Sequence, residues 1–272
     1  MINDKKDTNM IKKKSISLLI AAGLTASCSL VSADKTVAPE MTNIVDSQSI
    51  NEKATALQAM SEMSEYLRSL KQFTVTTDIS FDEVLDNGQK ILLHKVAELS
   101  VEKPSKLRAT VATEYTQREF YFDGDAFTIY TPELGYFASF SAPATLKSLV
   151  QTAKADYDID VPLADLFLWG AEGGPSLNVD EAMIVGIDKV NGVSCNHFAF
   201  REKEIDWQIC IQRDGTPLPL KLVITEKNSA SQPQHISIMK WNTSPDLSSQ
   251  NYTFSAKEGD QKIAFGKVKT DK

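Results

Sequence analysis

The stretch VSCNHFAFREKEIDWQICI, residues 193–211, gives the strongest indication of the fold. Two runs within it, 193–201 and 205–211, alternate between apolar and polar side chains. Alternation with a period of two is typical of strands that bury one face. Because only a few residues separate the two runs, the stretch predicts an antiparallel β-hairpin.

The register of this hairpin brings two cysteines together. A turn centred within the Glu-Lys pair at 202–203 sets Phe198 opposite Trp207, so that apolar side chains meet apolar side chains. Cys195 and Cys210 then lie directly opposite each other, within reach of a disulfide bond. Glu-Lys is poor turn chemistry, so a slip of one pair remains open, and reduced thiols are the alternative to the disulfide.

Similar strands precede and follow the hairpin. Apolar and polar residues alternate from Phe73 and again from Ile91, and the turn signals Asp86-Asn87-Gly88 and Asp123-Gly124 separate successive runs. A strand every eight to twelve residues is the spacing of an antiparallel sheet that curls or closes. The chain is therefore predicted to be mainly β, in the α+β class.

Helical spacing interrupts the strands at three places. From Asn51 to Leu70 apolar residues recur every three or four positions, which predicts an amphipathic helix packed on the sheet. Leu146–Ala153 predicts a second helix. Pro162–Trp169 predicts a shorter one that Pro162 would open.

The first residues are typical of an export signal. Lys12, Lys13 and Lys14 precede an apolar run that is too short to span a bilayer, so residues 1–33 are predicted to be a signal peptide with an N-terminal extension. Such a signal directs the chain to the periplasm of a Gram-negative envelope, an oxidising compartment that favours disulfides.

Two cleavage points compete within this signal. Cleavage between Ala33 and Asp34 would release a soluble protein, and we favour it. The alternative is a lipoprotein anchored through Cys28. Residues 34–50 are then a flexible lead-in, and residues 51–272 form a single domain.

Composition and motifs exclude several classes. A formal net charge of -7 from 29 basic and 36 acidic residues argues against nucleic-acid binding. The sequence contains no phosphate loop, nucleophile elbow, dinucleotide glycine run or zinc-protease signature, so neither a catalytic residue nor a cofactor is predicted. His197 beside two cysteines offers too few ligands for a metal and is interpreted as an ordinary strand residue.

Apolar side chains on the strands supply the candidate site. A curved sheet has a concave face that its own helices or a ligand must fill. The predicted lining of an apolar cavity consists of Phe120, Phe122, Phe127, Trp207 and Leu222. A core filled by the helices is the alternative.

Several short sequence motifs together resemble those of a known family. They are Phe122-Asp123-Gly124, Tyr136-Phe137-Ala138, Ala142-Pro143, Pro162-Leu163-Ala164-Asp165-Leu166, Cys195-Asn196-His197-Phe198-Ala199-Phe200-Arg201, Asp206-Trp207-Gln208-Ile209, Pro217-Leu218-Pro219 and Lys221-Leu222-Val223-Ile224. From about Ala54 to Phe265 the chain is similar to the predicted periplasmic proteins of domain of unknown function 2092, whose fold is grouped with the lipoprotein carriers LolA and LolB. Family members often carry an aromatic residue at the position of Cys210, so a disulfide would be a feature of this sequence.

The resemblance implies a strongly curved antiparallel sheet, an open half-barrel, with an N-terminal helix and short helices plugging its concave face. It supplies no catalytic residue. The leading hypothesis is a non-enzymatic periplasmic protein that binds lipid or lipoprotein acyl chains in the half-barrel. One alternative is an envelope interaction protein with a filled core, docking on a protein partner. The other is a hydrolase with residues drawn from distant strands.

Overall fold

The computed structural model describes residues 41–163 and 179–266, and their side chains from residue 50 onward. These residues belong to one compact unit, Met41–Lys272. Helix α1 spans Met41–Ser69 and helix α2 spans Leu146–Tyr157. The strands of the described ranges are β1 (Gln72–Val84), β2 (Lys90–Glu102), β3 (Lys106–Ala112), β4 (Gln117–Phe122), β5 (Ala126–Thr131), β6 (Tyr136–Ser141), β7 (Glu181–Val190), β8 (Val193–Arg201), β9 (Ile205–Gln212), β10 (Pro219–Glu226), β11 (Gln234–Asn242) and β12 (Gln261–Lys262).

All these strands form one sheet in the order β12-β6-β5-β4-β3-β2-β1-β11-β10-β9-β8-β7. Strand β1 is in its middle and pairs with β2 on one side and β11 on the other. Two meanders therefore run outward from the centre. Every pairing is antiparallel except that of the two-residue β12 with β6.

Alternation along the strands gives the sheet an apolar inner face and a more polar outer face. On β1 the side chains of Phe73, Val75 and Ile79 are buried, whereas Thr76 and Asp78 between them are exposed. Side chains of directly paired residues lie on the same face of a sheet, so the pairing places buried residues of neighbouring strands side by side on the inner face. Both helices contribute buried residues to the core on the inner face.

The inner face is concave. One cavity is lined at once by Ala138 of β6 and Leu222 of β10, which are seven strand positions apart. On a flat sheet these strands would be separated by about 34 Å, at about 4.8 Å per strand. The sheet is therefore curved without closing, which confirms the predicted mainly β fold.

Helix α1 begins at Met41, ten residues before the predicted start at Asn51. Met60, Met63 and Leu67 of the predicted apolar stripe are buried as expected. Once a helix is nucleated, each further residue adds a hydrogen bond, so a helix can extend beyond the residues whose periodicity predicts it.

Helix α2 coincides with the predicted second helix and buries the four apolar residues on which that prediction was based. Its N-cap is Thr145, whose side chain accepts a hydrogen bond from the Ser148 backbone N–H at 3.2 Å. It ends at Asp158, which has a left-handed conformation with φ of 51°. This residue turns the chain toward the concave face.

Several predictions concern residues that the structure does not describe. The predicted signal peptide with its cleavage point Ala33–Asp34, and the alternative anchor Cys28, are among them. So is most of the third helix, predicted for 162–169. The division into a signal, a lead-in and one domain from residue 51 stays a prediction.

The register of the β8–β9 hairpin differs from the predicted one. Phe198 pairs with Ile209 and Phe200 with Trp207, which is a shift of two residues. Three residues connect the strands, and the turn closes with a hydrogen bond from the Glu202 N–H to the Ile205 carbonyl at 2.9 Å. A shift of two keeps every side chain on its predicted face, so alternation alone could not distinguish the registers.

The disulfide between Cys195 and Cys210 is confirmed despite this shift. The two cysteines are diagonal neighbours, since Cys210 pairs with His197 and Cys195 with Gln212. Their Cα atoms are 5.4 Å apart, which is within the range that disulfides span. Both residues are buried on the outer face of the hairpin.

Removing the disulfide is expected to destabilise the protein. For cysteines 15 residues apart, the chain-entropy model gives about 3 kcal/mol. We expect the variant Cys195→Ala/Cys210→Ala to lose about this much free energy of unfolding in urea titrations. A reducing agent should destabilise the wild-type protein similarly and leave the variant unchanged. Equal masses of native and reduced protein would show that the bond does not form.

Candidate binding cavity

A cavity of about 740 Å³ occupies part of the concave face, and we call it the main cavity. Its floor is formed by strands β1–β6 on one side and β10–β11 on the other. It begins where the packing of the two helices ends. Further along the same strands toward the helices, side chains such as Val101, Leu107 and Phe122 are fully buried.

The lining is predominantly apolar. Residues from eight strands contribute aliphatic or aromatic side chains to it, because the register holds inward-facing positions of neighbouring strands side by side. Its apolar floor residues are Ile79, Ala97, Val111, Phe120, Ile129, Ala138, Leu222, Ile224 and Met239. Such a surface favours an apolar ligand over a polar one.

The five residues predicted to line a cavity all lie on the concave face, in two environments. Phe120 and Leu222 line the main cavity. Phe122 and Phe127 pair with each other across β4 and β5 and are completely buried in the core. Trp207 lies at the other end of the sheet. The structure thus brings two of the five together at the main cavity.

Trp207 borders a second pocket of about 550 Å³ between β7, β8 and β9. Its indole stacks on Phe200, with ring centroids 4.0 Å apart. Its ring N–H donates to a carboxylate oxygen of Glu202 at 2.8 Å. Because both its ring face and its N–H have partners within the hairpin, Trp207 stabilises the turn.

Two chain segments cover the main cavity, 158–163 after α2 and 263–266 after β12. Phe265 packs on Phe140 of β6 and on Tyr157 of α2, with centroid distances of 5.6 and 5.5 Å. The polypeptide before Phe265 first crosses the outer face of the sheet, where Phe254 contacts Tyr121. It then forms β12, which pairs with β6. The C-terminal segment therefore wraps around the sheet edge.

Three basic side chains in the lining were not predicted from the sequence. Lys95, Arg118 and His235 all line the main cavity. Each side chain points to the same face of its strand as buried apolar residues do. On β4, for example, Arg118 lies two positions before the buried Phe120. A basic residue at an inward-facing position was the signal that could have identified them.

Burial and the neighbouring positive charges lower the pKa values of Lys95 and His235. Burial first, and then the nearby Arg118 guanidinium, lowers the pKa of the Lys95 ammonium below its ordinary value. Burial and the charge of Lys95 likewise lower the pKa of His235. The His235 ring also shares a hydrogen bond with the Ser237 hydroxyl at 3.1 Å.

The part of the chain that the structure describes contains no group of three or more metal-ligating side chains. His197, considered above as a metal ligand, shares a hydrogen bond with Gln208 at 3.1 Å. Nor is any helix in the described ranges both long and apolar enough to cross a bilayer.

Comparison with known proteins gives a family and several solved structures. The sequence profile described as "Predicted periplasmic protein (DUF2092)" matches residues 56–266. The chain is 12% identical to the lipoprotein LppX of Mycobacterium tuberculosis, with a TM-score of 0.42 over 71% of this chain and 98% of LppX. It is 12% identical to LprF of Mycobacterium bovis, with a TM-score of 0.44 over 71% and 96% of the two chains. A LolA superfamily protein of Nitrosomonas europaea is 8% identical, with a TM-score of 0.35 over 73% and 97%. No curated protein matches the chain.

Proposed function

The chain belongs to the family of predicted periplasmic proteins that carry domain of unknown function 2092, and we propose that it is a non-enzymatic periplasmic protein that binds an apolar ligand. The ligand is a lipid or the acyl chain of a lipoprotein, held in the main cavity. Phe120 and Leu222 contact the hydrocarbon chain of the ligand, whereas Phe122 and Phe127 support the cavity floor from within the protein core.

The observation that carries the proposal is the volume of the main cavity together with its lining. About 740 Å³ falls within the range of about 300–1,000 Å³ that small-molecule pockets occupy. A filled core, the alternative reading of the sequence, would leave no such space. Because most of the floor consists of aliphatic and aromatic side chains, a hydrocarbon chain fits it better than a polar ligand.

The polar contacts in the main cavity favour binding over catalysis. The His235–Ser237 pair has the elements of a nucleophile and a base. In a serine–histidine pair of this kind, a neighbouring carboxylate orients the imidazole and stabilises the imidazolium that forms. The charge that acts on His235 is instead the cation Lys95, which disfavours the imidazolium.

Affinity should rise steeply with the length of the hydrocarbon chain. Each buried methylene contributes about 0.8 kcal/mol, which is about fourfold in the dissociation constant. We therefore expect a fourfold gain per carbon through the neutral series octanol, decanol and dodecanol, until the cavity is full. The affinity of each alcohol is measured by its displacement of a neutral fluorescent probe from the delipidated protein. Equal weak binding of all three alcohols would contradict the proposal.

A second candidate function is docking on an envelope protein through β7. This strand lies at one end of the sheet order, and edge strands offer backbone groups for pairing. It exposes the large apolar side chains Met183, Ile184, Val185 and Ile187. A protein of this kind would be isolated with a protein partner and without lipid.

A further inference from the structure

The basic residues of the main cavity form a group on its floor, which we call the cationic floor. It consists of Lys95 on β2, Arg118 on β4 and His235 on β11. Lys95 pairs with Ile79 of β1, and His235 pairs with the next inward-facing residue of that strand, Phe81. Lys95 and His235 therefore flank β1 diagonally.

Arg118 completes the group from the other side. It pairs with Val111 of β3, which in turn pairs with Ala97, the inward neighbour of Lys95 on β2. Alternate strands thus bring basic groups to one region of the floor, with Ile79 and Val111 between them. All three side chains line the same cavity, and the positive charge of Arg118 lowers the pKa of Lys95, as that of Lys95 lowers the pKa of His235.

Within the described ranges, no carboxylate forms an ion pair with any residue of the cationic floor. The Lys95 ammonium lies over the ring of Phe81, 4.8 Å from its centroid. The acidic groups at the cavity are on its cover, where Asp158 and Asp160 bind Lys154 at 2.8 and 3.0 Å and are largely exposed.

Lys95 and His235 are half-buried, whereas Arg118 is more exposed. Grouping like charges at a partly buried site is unfavourable unless an anion compensates for it. The chain as a whole is acidic, with a net charge of -7, so this group stands against the overall balance. The apolar residues Phe120 and Ile129 lie on the same floor, nearer the helices. The cavity therefore combines a cationic region with an apolar region, which is the complement of an anionic amphiphile.

We propose that the main cavity takes an amphiphile with an anionic head group, a carboxylate or a phosphate ester, whose head binds Lys95 and Arg118 and whose chain lies against Phe120 and Ile129. This inference rests on the proposed function, because it names the class of apolar ligand. His235 contributes a hydrogen-bond donor when its ring carries a proton on the side of the head group. The planar guanidinium of Arg118 suits either anion.

The test compares head groups on one chain. Isothermal titration of delipidated protein uses dodecanoate, dodecyl phosphate and dodecanol at concentrations below micelle formation, and inorganic phosphate as a probe without a chain. Charge-assisted hydrogen bonds should make the two anionic probes bind about tenfold more tightly than dodecanol. Inorganic phosphate should bind much more weakly than dodecyl phosphate.

The variant Lys95→Gln/Arg118→Gln should abolish the preference, so that both anionic probes bind this variant no more tightly than dodecanol does. The matched control is Lys221→Gln/Lys240→Gln, which removes two positive charges from the outer face of β10 and β11. It should keep the preference for anions. Retention of a tenfold effect in the control excludes a general effect of net charge.

Each contrary outcome has a separate meaning. Equal binding of dodecanol and dodecanoate would overturn the cationic floor as a head-group site and leave the proposed function standing. A preference that survives Lys95→Gln/Arg118→Gln would overturn it as well. If inorganic phosphate bound as tightly as dodecyl phosphate, the site would bind anions without any contribution from a hydrocarbon chain, and the proposed amphiphile would be wrong. Failure of every chain-bearing probe to bind would overturn the proposed function itself.

Discussion

Replacing Val111 by tryptophan is expected to reduce binding of dodecanol by about 100-fold or more. Val111 lies on β3 in the floor of the main cavity and is only half-buried, so an indole at this position projects into the space for the chain. Excluding about four methylenes at about 0.8 kcal/mol each removes about 3 kcal/mol of binding free energy. Tryptophan is well tolerated in strands, which limits the structural cost.

The control for this variant is Thr110→Trp. Thr110 is adjacent on β3 but faces the outer surface, where it pairs with Glu98 and Glu119. It should leave dodecanol binding unchanged. Urea titrations of both variants establish that each is folded at the temperature of the binding measurement. Folded Val111→Trp protein with wild-type affinity would place the ligand outside the main cavity.

The variant Phe122→Ala is expected to lose about 3–5 kcal/mol of unfolding free energy, the usual cost of truncating a fully buried phenylalanine. Phe122 on β4 is completely buried and pairs with Leu107 on one side and Phe127 on the other. Its removal leaves a void beneath the helices rather than in the main cavity. The midpoint of urea unfolding measures the loss.

Tyr115→Ala provides the comparison, because Tyr115 is 80% exposed and its loss should change stability by about 0.5 kcal/mol or less. Phe122→Leu should fall between the two. If Phe122→Ala were as stable as the wild-type protein but could not bind dodecanol, Phe122 would be a ligand contact, as the sequence alone suggested.

Much of the fold follows from alternation along the chain. The inward phase of Phe73 and Val75, and of Phe120 and Phe122, is visible in the sequence and is the phase that the sheet buries. The spacing of Leu146–Ala153 likewise predicted helix α2. These features depend on local periodicity and burial, which a single sequence records.

Features that depend on long-range geometry were not accessible in the same way. The β8–β9 register shifts by two residues with no change of face, so the pattern was compatible with both pairings. Arg118 and His235 are 117 positions apart in the sequence numbering, and only the pairing of β11 with β1 brings them to one floor. Which apolar residues face a cavity and which face a helix also depends on where α1 and α2 stop packing.

The most direct measurement is native mass spectrometry of the protein isolated from its natural host without detergent, followed by extraction and identification of any bound molecule. We expect a population of the protein that carries the additional mass of an acyl-chain amphiphile, loses it on delipidation and gains the mass of dodecanoate when this probe is added. A spectrum of the bare chain alone, which stays bare after incubation with dodecanoate and dodecanol, would contradict it.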